Sequence, residues 1–195
     1  MSLQKQSKTL SKKQVAAVSG YLRERRNGLR NETIFLLSVK AGLRAKEISE
    51  LEWGMVLNSD GSVGNEIHLT DTASKGRNGG RVIPLHPQIR VNLMELRPDT
   101  GGSGGDRVVR SERRDAVTSQ TIINMFQTWY RDLGLEGCSS HSGRRTFITQ
   151  CARQISTVGG SLRDVQYLAG HSSLQTTQRY IEGDSKSRVK VVGLL

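Results

Sequence analysis

Val15, Val18, Tyr21 and Leu22 recur at the spacing of one helix face and predict a helix over 12–26, with Ser11 as its N-cap. Asn31 then opens a second helix over 32–41, so rich in Ile, Phe, Leu and Val that it reads as buried, with Gly42 as its stop. A short third helix over 45–51 turns Ile48 and Leu51 inward. The period changes next, and residues 55–57, 66–70 and 81–85 predict three short strands. Between the last two, Asn78-Gly79 is a turn signal, because both residues tolerate positive φ. Residues 87–96 return to a helical pattern, and Gly101-Gly-Ser-Gly-Gly105 reads as a flexible surface connection. From Thr118 the pattern stays helical, over 118–132, 142–152, 161–169 and 174–181. The last two meet at Gly170-His171-Ser172, where glycine stops one helix and serine caps the next. No internal repeat interrupts this order. The expected fold class is mainly α (α+β), with a small three-stranded antiparallel β-sheet between two helical clusters.

Composition narrows the partner. The 195 residues suffice for one domain with a proper core. Lys and Arg number 29 against 18 Asp and Glu, a net charge of +11, which favours a polyanion because each phosphate contact releases condensed counterions. A merely basic surface is the plainer alternative. No apolar run approaches the roughly 18 to 20 residues of a membrane span, and Met1-Ser-Leu-Gln-Lys5 lacks the apolar core of a signal peptide. A cytoplasmic protein with no membrane partner is expected. Cys138 and Cys151 have no CxxC or zinc-type spacing and read as thiols.

The candidate chemistry is that of a phosphodiester. Cleaving one takes a nucleophile, neutralisation of a pentavalent transition state, and a proton for the leaving oxygen. The chain has no DxD pair, no HExxH and no His/Cys cluster to hold a metal. Positive charge would then come from side chains, and arginine suits that task, since its planar fork binds two phosphate oxygens and keeps its charge. Arg44 lies in Ala41-Gly-Leu-Arg-Ala-Lys-Glu47, at the junction of two helices, where it reads equally as a cap on the preceding helix. His141-Ser-Gly-Arg144 puts two functional groups on one side of a helix start; the plainer reading is a solvated basic turn extended by Arg145. Lys75, Arg77 and Arg81 occupy or flank the hairpin turn, either solvated or touching a phosphate backbone. Tyr180, with an ordinary pKa near about 10, needs a base or nearby cations to act as a nucleophile; otherwise it packs on the core. His171 is a further proton-handling candidate or a helix-end histidine.

Taken as an ordered set, these segments resemble the tyrosine recombinase (phage integrase) family. Ala41 to Trp53 is similar to its first arginine box and Ser74-Lys-Gly-Arg77 with Arg81-Val-Ile-Pro-Leu85 to its β-hairpin lysine. His141 to Thr149 is similar to its HxxR box, and Leu168 to Tyr180 to its final segment. The resemblance implies a catalytic domain over 11–182, an extension over 1–10, and a tail over 183–195. The tail's apolar end is expected to dock in its own groove or a neighbour's.

The resemblance also implies roles. Tyr180 attacks the phosphate to form a 3′-phosphotyrosyl link, Arg44 and Arg144 hold the non-bridging oxygens, and His171 hydrogen-bonds the phosphate. His141 assists removal of the tyrosine proton, Lys75 protonates the leaving oxygen, and Glu47 buttresses Arg44. Arg77, Arg81 and Arg145 are candidates for the DNA backbone; Arg145 stands where many members carry a second histidine. The implied activity is site-specific DNA recombination, integrase- or invertase-like, without cofactor, metal or ATP. Its implied setting is the bacterial or phage nucleoid, with a homotetramer on paired double-stranded DNA sites and a monomer without DNA. Members generally carry an N-terminal clamp domain, so an excised catalytic domain or a small recombinase of one domain is expected. A type IB topoisomerase-like enzyme and a catalytically idle DNA-binding protein are the competing readings.

Overall fold

The computed structural model describes residues 7–70, 80–100, 104–112, 116–180 and 193. The chain divides into two compact units, Met1–Phe147 and Ile148–Leu195. In the first, Ser11 caps α1 (Lys12–Arg23) by a reciprocal pair: its hydroxyl accepts the Gln14 N–H, and the Gln14 side chain accepts the Ser11 N–H. Val18 and Leu22 of α1 are buried against α2 (Gly28–Lys40), whose Ile34, Phe35, Leu36 and Leu37 are fully enclosed. The second helix starts before the expected Asn31. Asn27, at φ 57, reverses the chain and is its N-cap, while Asn31 lies inside the helix and donates to the Arg26 carbonyl.

A polar cluster sits among the helices of this corner. Glu32 on α2 is buried and accepts hydrogen bonds from Ser19 and Arg23 on α1, and from Gln88 and Asn92 on α4 (Pro87–Thr100). Taking a carboxylate out of water is costly unless donors such as these meet its oxygens.

α3 (Ala45–Ser49) packs on α5 (Ser119–Asp132), whose Phe126, Trp129 and Tyr130 form an aromatic cluster with centroids 5.2 and 5.8 Å apart. The sheet has two strands, β1 (Glu66–Leu69) and β2 (Arg81–Pro84), antiparallel with Ile67 opposite Ile83 and Leu69 opposite Arg81. The expected third strand is absent among the described residues. Trp53–Met55 forms a 3-10 turn, drawn towards residues 104–106 by the N–H groups of Trp53 and Gly54, and of residues 55–57 Leu57 alone makes a bridge, to Val63. Three residues already bent this way cannot pair along a strand. The predicted Asn78-Gly79 turn, and the Gly101 to Ser103 part of the glycine-rich connection, lie outside the described residues.

α6 (Ser142–Gln154) starts in the first unit. Within the second, a 3-10 turn (Ile155–Val158) leads to α7 (Leu162–Ala169). Ser161 and Asp164 cap α7 through a 2.7 Å bond from the Ser161 N–H to the carboxylate, and Gly170 ends it. α8 (Leu174–Gln178) packs against α7 and stops just before Tyr180, three residues short of the expected end. No helix among the described residues is long and apolar enough to cross a membrane.

Candidate active site

In the first unit, Arg44 is the N-cap of α3 and is fixed by Glu47 one turn later. The Arg44 backbone N–H donates to one carboxylate oxygen at 2.7 Å, and its Nη1 donates to the other at 2.8 Å. Glu47 is almost wholly enclosed (1% exposed), while the Arg44 side chain keeps 32% of its surface. The expected ion pair is present, and about a third of the Arg44 side chain stays exposed.

Arg81 enters from β2 and donates to the same carboxylate at 2.8 and 3.0 Å. It is only 6% exposed. Sequence reasoning placed it among candidates for the DNA backbone; the structure places it inside, where strand alternation puts it on the face of Ile83. The signal was legible in principle, because Arg81 and Ile83 are two residues apart in one strand and must point the same way. Burial pushes the Glu47 carboxyl up, but the hydrogen bonds and charges of Arg81 and Arg44 more than offset this, and the group lies below the usual carboxylate range.

Arg144 is 5% exposed, and its Nη1 donates to the Gly42 carbonyl at 2.6 Å. Gly42 adopts φ +69, and a Cβ there would run into the Phe147 ring. Gly143 likewise lies against Ser38 with no room for a side chain. Two glycines therefore let the start of α6 and the end of α2 approach closely. The result is that Arg144 and Arg44 are both referred to one short loop, 41–44. Neither glycine was singled out from the sequence as a packing site, since only three-dimensional proximity reveals one.

His141 is exposed at the start of α6, where its N–H donates to the Ser139 hydroxyl and its carbonyl accepts the Arg145 N–H. Arg145 is half-buried. Lys75 and Arg77 lie outside the described residues. Among those described, no group of three or more His, Cys, Asp or Glu side chains is placed to hold a metal ion.

In the second unit, His171 and Tyr180 come together. Their rings stack with centroids 5.6 Å apart and planes at 24°. Thr177, fully buried, is 3.0 Å from His171 Nδ1 through its hydroxyl, and its carbonyl accepts the Tyr180 N–H at 3.0 Å. Gln166 steadies the turn from both sides, accepting the His171 N–H and donating to its carbonyl. Sequence reasoning missed Thr177; its spacing of three from Tyr180 was the available clue.

The fold is that of solved recombinase catalytic domains. Over 97% of its length the chain matches the crystal structure of XerA recombinase with a TM-score of 0.74 at 20% identity, covering 65% of that chain. Over 94% it matches the Tn1549 transposon integrase, solved in complex with transposon right end DNA, with a TM-score of 0.71 at 16% identity, covering 64% of that chain. The sequence gives the finer assignment: the chain belongs to the phage integrase family, whose profile matches residues 8–186. Tyrosine recombinase XerC of Xanthomonas axonopodis pv. citri is 28% identical over 165 residues, which cover 84% of this chain and 50% of that protein. The chain spans about half the length of the curated relatives it matches.

Proposed function

We propose that this chain carries out site-specific DNA recombination by breaking and rejoining strands through a 3′-phosphotyrosyl intermediate. The observation that carries the reading is one family match, 8–186, running through every candidate residue from Arg44 to Tyr180. The geometry supports it: Arg44 is held by Glu47 with about a third of its side chain exposed, Arg144 is anchored to the same loop, and Tyr180 is packed on a histidine.

In this reading the Tyr180 phenol oxygen attacks phosphorus and gives its proton to His141. The bond from phosphorus to the 5′-oxygen breaks, and that oxygen takes a proton from Lys75. Arg44, Arg144 and His171 bind the non-bridging oxygens as negative charge builds there. The phosphotyrosyl link conserves the energy of the broken bond, so an incoming 5′-hydroxyl reverses the step without ATP, and the charge is met by side chains rather than a metal. Residues 11–182 form the catalytic domain, and 183–195 a tail that docks in its own groove or a neighbour's. The partner is double-stranded DNA, the working assembly a homotetramer on two paired sites, and the setting the cytoplasmic nucleoid.

The test is covalent trapping in EDTA on nicked duplexes, drawn from DNA flanking the gene and from a pool with randomised cores. A protein–DNA adduct that is lost in Tyr180→Phe supports the reading. An adduct that survives Tyr180→Phe, or DNA binding with no adduct on any duplex, sinks it, the latter in favour of an idle binder. Relaxation of supercoils without sequence preference would favour a topoisomerase instead.

A further inference from the structure

We infer that Arg81 is a positioning residue for Arg44, acting through Glu47: it balances the carboxylate's charge so that Arg44 is oriented without being neutralised. The inference rests on the reading of Arg44 as a phosphate ligand. Three charged groups meet here, two guanidinium ions and one carboxylate. Both Glu47 oxygens are shared, each accepting one bond from Arg81 and one from Arg44.

The sharing answers a physical difficulty. A lone Arg44–Glu47 pair at 2.8 Å would orient the fork but would present a phosphate with a nearly neutral dipole. Removing the carboxylate would restore the charge and lose the orientation. A second, buried cation on the same carboxylate resolves the conflict. Arg81 occupies that place, buried while Arg44 keeps about a third of its side chain exposed. The asymmetry assigns the roles: one arginine serves the carboxylate, the other serves what lies outside. Bidentate donation makes arginine the fitting residue, since lysine supplies the charge without the fork.

The experiment compares wild type, Arg81→Gln, Arg81→Lys and the double variant Glu47→Gln/Arg81→Gln. Inorganic phosphate is titrated while the Arg44 side-chain NMR signal is followed, and the rate of covalent adduct formation is measured in parallel. Arg81→Gln should need about tenfold more phosphate and form adduct at least about tenfold more slowly, because Glu47 then cancels Arg44. The double variant, which removes the negative charge as well, should recover the phosphate response to within about threefold of wild type but not the adduct rate, because the orientation of Arg44 is lost with the carboxylate. Arg81→Lys should fall between the two.

A purely structural Arg81 would leave the double variant no better than Arg81→Gln, and that result overturns the inference. So does a wild-type response to phosphate in Arg81→Gln, or no response of Arg44 in any protein. If Arg81→Gln does not fold, the double variant decides alone: a loss of about tenfold in its phosphate response is fatal. A wild type that senses phosphate through Arg44 yet forms no adduct would sink the recombination reading and leave this inference standing.

Discussion

The hydroxyl of Thr177 lies 3.0 Å from His171 Nδ1, so a buried side chain at the end of α8 sets the plane of the ring stacked on Tyr180. Replacing Thr177 with valine keeps the shape and removes this partner. Stability should change by no more than about 1 kcal/mol, the worth of one hydrogen bond. Adduct formation should fall roughly tenfold as the ring loses its fixed orientation, and Thr177→Ser should recover most of the rate. Paired thermal melts and trapping rates check this; equal rates in Thr177→Val and wild type would refute it.

Gly42→Ala should damage the arginine pair without touching either arginine. A non-glycine residue at φ +69 costs about 1 to 2 kcal/mol, and the added methyl would press on Phe147. The loop carrying the Gly42 carbonyl must then shift, loosening its bond to Arg144. We expect a loss of about 2 kcal/mol or more in unfolding free energy and a larger relative loss of adduct formation than of stability. A variant with a wild-type melting point and rate would contradict this.

Acid should unmask the Glu47 cluster. Burial raises its carboxyl pKa, but Arg81 and Arg44 carry it below the unfolded value of 4.5. The stabilisation is therefore fully present above that unfolded value and is lost as pH falls through the lower, folded one. At neutral pH, Glu47→Gln should cost about 3 kcal/mol by stranding buried Arg81. The difference between the two proteins should shrink as pH falls below that unfolded value and the wild-type carboxyl begins to protonate. Melts of both across that range give the answer, and a gap that widens in acid would overturn the assignment.

Tyr130 makes the opposite prediction at the alkaline end. Its hydroxyl is buried with no hydrogen-bond partner among the described residues, and burial, with a smaller contribution from Cys138, raises its pKa above the ordinary 10.0. Tyr130→Phe should raise stability by about 1 kcal/mol, because an unpaired buried hydroxyl is lost. Wild-type stability should decline once pH rises past the unfolded value, and the phenylalanine variant should decline less. Denaturant melts on either side of that pH would show it.

Much of this molecule was legible in one dimension where local chemistry decides. Ser11 with Gln14, Thr118, and Ser161 with Asp164 mark helix starts because the capping partners are neighbours in sequence. Asn31 misled because a helix can bury an asparagine that finds a carbonyl, and the true start at Asn27 depends on a left-handed residue. The third strand, expected over 55–57, failed because Met55 ends a 3-10 turn whose Gly54 N–H is held by the Gly104 carbonyl across a long sequence gap. Among the candidate site residues, Arg44, Arg144, His171 and Tyr180 stand out by motif. Their supports do not: Arg81, Gly42 and Thr177 act through contacts that form only after the chain folds. An arginine in a basic protein reads as surface until alternation with Ile83 is taken seriously.

The buried carboxylate of Glu32 carries a consequence for how this corner can vary. Ser19 and Arg23 reach it from α1, Gln88 and Asn92 from α4, and each donor's worth depends on the others remaining. Substitutions there should be strongly non-additive, the second loss costing less than the first once the carboxylate is already uncompensated. Under mutation the five residues form one unit of inheritance. A chimera that borrows α1 or α4 from a relative must import the matching donors, or replace Glu32, in the same step.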